Sequence, residues 1–357
     1  MSESLVQIGR RSRNGSPAAP PRREPRPDWL RIRLRTPEKY QEVKRLVAGL
    51  SLNTVCTEAR CPNIYECWGE HGTATFMILG DTCTRRCGFC SVHSGRPAPG
   101  VDAGEPERVA EAVATMGLKH AVVTSVDRDD LPDGGAGHFR ATIEAIHRRV
   151  PGCAVEVLTP DFRGVPDALD VVLGAGSGEP DGREAVLGVG ADAPASTLSS
   201  RAREGSGRGT SGGDDHLDAA PIGPEVFSHN VETVPRLYRS ARPGSRYERS
   251  LELLAEASRR RDAGEYRGRT KTAIMLGLGE TDDEVRETMR DIRAAGVQVL
   301  AMGQYLQPTR EHLPVERYVS PAEFAAFREH ALELGFLHCE AGPLVRSSYH
   351  AHEHVPR

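Results

Sequence analysis

Six of the eight cysteines lie between Cys56 and Cys90, as two triplets. Cys56, Cys61 and Cys67 follow C-x4-C-x5-C, and Cys83, Cys87 and Cys90 follow C-x3-C-x2-C. A structural zinc takes four ligands, usually from C-x2-C pairs. An iron–sulfur cubane accepts thiolates at looser spacing and ordinarily takes four. A triplet therefore points to a cluster with one iron open to another ligand, and two triplets point to two clusters with different tasks. The alternatives are a zinc site completed by His93 or His71, or an electron-transfer protein. Neither triplet follows the bacterial ferredoxin spacing C-x2-C-x2-C-x3-C-P.

Elements must bring these cysteines together. Short β-branched runs alternate with amphipathic stretches from Thr75 onward. The strands expected are Thr75–Leu79, His120–Ser125, Ala154–Leu158, Val226–His229, Thr272–Leu276 and Val297–Gly303. The helices expected are Glu107–Met116, Phe139–Val150, Val234–Tyr238, Tyr247–Arg261 and Asp282–Ala295. Such alternation implies parallel strands with right-handed crossovers. About six units fall short of the eight of a closed barrel, so the architecture expected is a partial β/α barrel, with an open Rossmann-like sheet as the alternative. Cys83 follows the run Phe76–Leu79 and so sits where α/β barrels place active sites.

Residues 1–28 read as a disordered tail, rich in Arg, Pro, Ser and Gly. Residues 29–74 carry one helical pattern (Tyr40, Val43, Leu46, Val47, Leu50) and then the first triplet. Residues 75–310 form the barrel, interrupted at 177–223 by a glycine-rich stretch that reads as a flexible insertion. Residues 311–357 form a C-terminal extension. With 46 basic against 50 acidic residues, net charge is −4, which argues against a nucleic-acid partner. No apolar run is long enough to span a membrane, and no secretory pattern opens the chain. Clustered thiols without export imply a reducing compartment, so the expectation is cytoplasmic.

The segment Cys83-Thr-Arg-Arg-Cys87-Gly-Phe89-Cys90 matches the radical S-adenosylmethionine superfamily. Cys56-Thr-Glu-Ala-Arg-Cys61-Pro-Asn-Ile-Tyr-Glu-Cys67-Trp resembles the auxiliary-cluster motif of the lipoyl synthase family. Further resemblances to that family are Thr124–Gly135, His229–Val234, Gly277–Glu280, Gly303–Thr309 and Gly342-Pro-Leu-Val-Arg346-Ser347-Ser348-Tyr349.

The resemblance implies a radical S-adenosylmethionine partial (β/α)6 barrel, its mouth covered by the terminal extensions. It implies two [4Fe-4S] clusters, S-adenosyl-L-methionine, and insertion of two sulfurs at C6 and C8 of a protein-bound octanoyl chain. Cys83, Cys87 and Cys90 would hold the radical cluster. Cys56, Cys61 and Cys67 would hold the auxiliary, sulfur-donating cluster, with Ser348 as its oxygen ligand. Phe89, Ser125, Glu156, Asn230, Gly277 and Gly279 would contact S-adenosylmethionine. Implied partners are an octanoylated lipoyl carrier protein or domain, an electron donor such as ferredoxin or flavodoxin, and cluster-assembly proteins. The nearest competing enzyme is another radical sulfur-inserting or methylthiolating one.

Blander readings stand beside some of these. Arg346-Ser-Ser-Tyr is equally a polar turn, Gly277-Leu-Gly279 a strand-to-helix turn, and Asp127–Asp130 a solvated acidic turn or a tie holding a loop over the site. Arg85 and Arg86 are ordinary exposed arginines or contacts for an acidic carrier. Cys153 and Cys339 read as small buried hydrophobes, and the histidines after Tyr349 as a frayed terminus.

Overall fold

In the computed structural model, which describes residues 25–31, 38–71, 74–174, 223–349, 351 and 354–355, one eight-stranded sheet organises the chain. Its strands in spatial order are also in chain order: β1 (Asn53–Thr54), β2 (Thr75–Ile78), β3 (His120–Ser125), β4 (Ala154–Leu158), β5 (Val226–Ser228), β6 (Arg269–Leu276), β7 (Val299–Gln304) and β8 (His338–Gly342). Only β1 runs antiparallel, pairing Thr54 with Phe76; every other pair is parallel. The six expected strands form β2–β7, and β8 adds a seventh parallel strand from the C-terminal extension.

The crossovers carry α2 (Glu105–Met116), α3 (Ala136–Arg149), α4 (Ala168–Leu173), α5 (Tyr247–Asp262), α6 (Asp282–Ala294) and α7 (Pro321–Glu333), preceded in the chain by α1 (Glu38–Gly49). Period-2 alternation sends Phe76, Ile78, Val123, Val155, Val157 and Phe227 outward, where they pack with Val109, Val113, Phe139, Ile143 and Ile146 of the helices. Helix starts are set by local chemistry. Thr281 and Glu284 close a capping box on α6, and Ser320 and Glu323 close another on α7.

The two edges of the sheet do not hydrogen-bond strand to strand; the chain after β8 bridges them. Asn63 Nδ2 donates to the Leu344 carbonyl at 2.7 Å, Thr75 Oγ1 donates to Ser348 Oγ at 3.0 Å, and the Tyr349 hydroxyl donates to Glu66 at 3.1 Å. The tail beyond is not frayed where it is described: Ala351 and His354 are buried, and the His354 carbonyl accepts from Arg269 at 3.2 Å. The glycine-rich stretch lies outside the described residues except for Gly223. No helix among the described residues is long and apolar enough to cross a membrane.

Candidate functional site

The second triplet occupies the loop after β2 and is tied down at both ends. Thr84 N and Oγ1 both donate to the Asp127 carbonyl, and Gly95 N donates to the Cys83 carbonyl. Gly88 N donates to the Ala241 carbonyl while the Gly88 carbonyl accepts from Leu313 N. A Cβ on Gly88 would sit 2.9 Å from both the Ser240 carbonyl oxygen and Leu313, so only glycine fits. His312 Nε2 donates to the Cys90 carbonyl at 2.9 Å. Its Nδ1 must then accept from the Thr309 hydroxyl, 2.8 Å away. Cys83 Sγ accepts backbone N–H groups from Arg85 and Asp127 at 3.4 and 3.3 Å.

The first triplet lies beside β1 and β2. Cys56 falls in a short helix, Val55–Glu58, capped by Thr54 Oγ1. Cys61 N donates to the Cys56 carbonyl, and Cys67 opens a π-helical turn, Cys67–His71. The Tyr40 ring stacks on Tyr65 at 5.1 Å and leans on Trp68 at 5.6 Å, so α1 braces this segment.

One cavity of about 540 Å³ joins the two triplets. Cys56, Cys61, Cys83, Cys87, Cys90, Phe89, Arg346, Ser347 and Ser348 border it, as do the C-terminal ends of β3, β4, β6 and β7. Cys67 does not border it and packs against the core instead. Burial pushes the Cys56 thiol up to about 11 and the Cys83 and Cys87 thiols up to about 12, Asp127 adding to the effect at Cys83. Cys61 and Cys90 are raised by burial too.

Ser125 Oγ and Asn230 Oδ1 line the cavity with no hydrogen-bond partner. Buried polar atoms left open in this way suit a polar ligand. Among the described residues no three His, Cys, Asp or Glu side chains converge on a single ion. Of the two histidines considered for a zinc site, His93 is exposed. The donor set and the unpaired wall atoms thus accommodate the expected clusters and S-adenosylmethionine.

Three expected contacts are not brought to the cavity. Glu156 lies one inward layer below Leu158 and is 1% exposed. Its carboxylate accepts from Lys271 Nζ at 2.8 and 3.0 Å, a closed ion pair. Gly277 and Gly279 form a turn at φ +100° and +107°; the Glu280 carboxylate accepts from Gly277 N and Leu278 N. A Cβ on Gly277 would overlap the Gln304 side chain, so that glycine serves packing.

Conversely, Asp127, Glu232 and Arg242 border the cavity although spacing did not single them out. Burial raises both carboxyls, with Arg85 and Arg242 respectively opposing it. Asp127 and Glu232 fall within the Thr124–Gly135 and His229–Val234 stretches, and Asp127 also within the acidic turn; Arg242 lies in neither stretch and had no signal in the sequence. Arg85 is not a surface residue. Its guanidinium donates to both Asp129 oxygens at 2.8 Å and to Asp161 at 2.6 Å, and it faces Asp127 at 3.3 Å. Although burial raises Asp161, Arg85 outweighs it and brings this carboxyl down to about 2. Arg128 likewise closes on Asp130 and on the Gly100 carbonyl. The acidic turn is therefore an internal tie between the cysteine loop and the strand ends, while Arg86 remains exposed.

A partial parallel barrel with a C-x3-C-x2-C loop at its mouth defines a radical S-adenosylmethionine enzyme, and the radical SAM superfamily model matches residues 77–205. The chain is 50% identical over 331 residues to the lipoyl synthase of Rubrobacter xylanophilus, covering 93% of this chain and 87% of that one. It is 49% identical over 340 residues to the lipoyl synthase of Methylococcus capsulatus, covering 94% and 87%. It is 46% identical over 353 residues to that of Koribacter versatilis, covering 99% and 96%. The chain belongs to the lipoyl synthase family. It is a sulfurtransferase of lipoate biosynthesis that works with S-adenosylmethionine and [4Fe-4S] clusters. Among solved structures, that of Streptococcus suis SuiB bound to precursor peptide SuiA overlays with a TM-score of 0.47 at 10% identity, over 85% of this chain and 53% of SuiB, too distant to bear on the site.

Proposed function

We propose that the two triplets divide one reaction: Cys83, Cys87 and Cys90 hold the cluster that binds S-adenosylmethionine, and Cys56, Cys61, Cys67 and Ser348 hold the cluster that gives up sulfur. The observation carrying this reading is the single cavity bordered by members of both triplets and by Ser348. When bound, the two groups supply the radical that abstracts hydrogen from C6 and C8 and the sulfur that replaces it. The chain's own residues shape where this happens. Ser125 and Asn230 offer unpaired oxygens to the methionine or ribose part, and Phe89 offers a ring face. Asp127 and Glu232 supply negative charge suited to a sulfonium cation. Met77, Leu158, Ala273, Ala301 and Val345 give an apolar stretch between the triplets that suits an octanoyl chain and keeps water away.

The substrate on this reading is an octanoylated carrier protein or domain, reaching the cavity past the first triplet and the Arg346–Ser348 segment. A ferredoxin or flavodoxin supplies electrons, assembly proteins rebuild the consumed cluster, and the reaction takes place in the cytoplasm. Residues 29–74 and 311–357 act as the two covers of a barrel spanning 75–310. The test uses anaerobically reconstituted enzyme, S-adenosylmethionine, reductant and an octanoyl-lysine peptide followed by mass spectrometry. Cys83→Ala should abolish 5′-deoxyadenosine, whereas Cys56→Ala should still form it while adding no sulfur. Identical failure of both variants would refute the division of labour.

A further inference from the structure

Thr75 opens β2 at the point where the first triplet and the C-terminal segment meet. It is 8% exposed and borders the cavity. Its backbone hydrogen-bonds the Cys56 thiol, and its hydroxyl donates to Ser348 Oγ at 3.0 Å. One residue thus touches two of the four groups assigned above to the auxiliary cluster, across a sequence separation of 273. The chain on either side of Ser348 is held as well, by Asn63 at the Leu344 carbonyl and, through the Tyr349 side chain, by Glu66 at the phenol hydroxyl. Those pins hold the segment, one through its backbone and one through the Tyr349 side chain, but neither touches the serine side chain. A serine hydroxyl turns freely among staggered rotamers, and among the described residues the side-chain contact that selects one is that of Thr75.

We propose that Thr75 is a positioning residue for the oxygen ligand: its hydroxyl holds Ser348 Oγ toward Cys56, so that this oxygen meets the cluster rather than solvent. The proposal rests on the reading of Ser348 as a cluster ligand. Outer groups that orient a metal ligand commonly contribute tenfold or more to metal retention. A β-branched residue also suits this strand position, and valine keeps that shape while removing the donor.

The experiment uses the full chain in a Cys83→Ala/Cys87→Ala/Cys90→Ala background, so that the auxiliary cluster is observed alone. After anaerobic reconstitution, iron release to bathophenanthroline and the Mössbauer spectrum are recorded for Thr75→Val, Thr75→Ser, Ser348→Ala and Thr75→Val/Ser348→Ala. Thr75→Val should release iron about tenfold faster and shift the spectrum toward that of Ser348→Ala. Thr75→Ser should restore parental behaviour, and Thr75→Val should add nothing to Ser348→Ala. A slow, parent-like Thr75→Val beside a fast Ser348→Ala overturns the proposal and leaves the oxygen ligand standing. A parent-like Ser348→Ala overturns both. Additive effects, or a Thr75→Val chain that loads no iron while Ser348→Ala does, show that Thr75 acts other than through Ser348 and also overturn it.

Discussion

Replacing Lys271 by methionine should destabilise the protein in a pH-dependent way while sparing the cavity above. Lys271 and Glu156 are 0% and 1% exposed, and each is the other's close ionic partner, with His120 4.0 Å from the carboxylate. Burial raises Glu156 and lowers Lys271, and their mutual attraction opposes both shifts. Without Lys271 the buried carboxyl must take up a proton to stay inside. Neutralising a carboxyl of ordinary pKa 4.5 costs about 4 kcal/mol at pH 7.5 and about 2 kcal/mol at pH 6. The upper figure agrees with the roughly 3–5 kcal/mol expected for orphaning a buried charge.

The sign follows from proton binding. The folded variant holds a proton on Glu156 that the unfolded chain releases above pH 4.5, so its deficit grows as pH rises. Chemical-denaturation midpoints of the anaerobically reconstituted protein at both pH values would measure this, with S-adenosylmethionine binding by equilibrium dialysis alongside. A deficit that does not change with pH would refute the argument. So would a Glu156→Gln variant of unaltered stability that binds S-adenosylmethionine weakly, since that would return Glu156 to the ligand.

Gly303→Ala should act on the other wall. A Cβ there would overlap the Val345 carbonyl oxygen and lie 3.2 Å from Arg346 Nη1, pushing the Arg346–Ser348 segment off β7. Iron analysis should show loss at the auxiliary cluster while S-adenosylmethionine cleavage persists; a full iron complement would contradict it. Replacing residues 175–222 with a four-residue linker should leave sulfur insertion intact. Leu173 and Gly223 already meet, and a loop roughly twelvefold shorter raises stability by up to about 2 kcal/mol, read as a higher melting midpoint. Loss of activity in that variant would make the stretch part of the site.

The strands were legible where β-branched runs stood between turn signals: β3 and β4 have the expected limits, and β6 begins only three residues earlier. β8 was not, because His338-Cys-Glu-Ala-Gly342 has no strand pattern and is defined by pairing with β7. No helix was expected at α7 although its Ser320-Pro-x-Glu323 start is a local capping signal, and α4, six residues long and packed on α3, is too short to stand out in sequence. The cysteines were found by spacing alone. Glu156 was expected at a strand end but sits mid-strand, and its ionic partner, 115 residues away, could not be read from the local sequence. Arg85 failed for the same reason, its acids lying 44 and 76 residues off.

The seam between β2 and the chain after β8 also bears on biogenesis. Its three cross-links join residues 273 to 283 positions apart, so they are among the last contacts a growing chain can make. Both cysteine triplets precede Ser91, whereas Ser348 is added more than 250 residues after Cys90. Every parallel strand can therefore be paired before the barrel wall is stitched shut. During that interval the thiols of the first triplet face an open slit, and translation itself keeps the cavity accessible until Leu344, Ser348 and Tyr349 have been made.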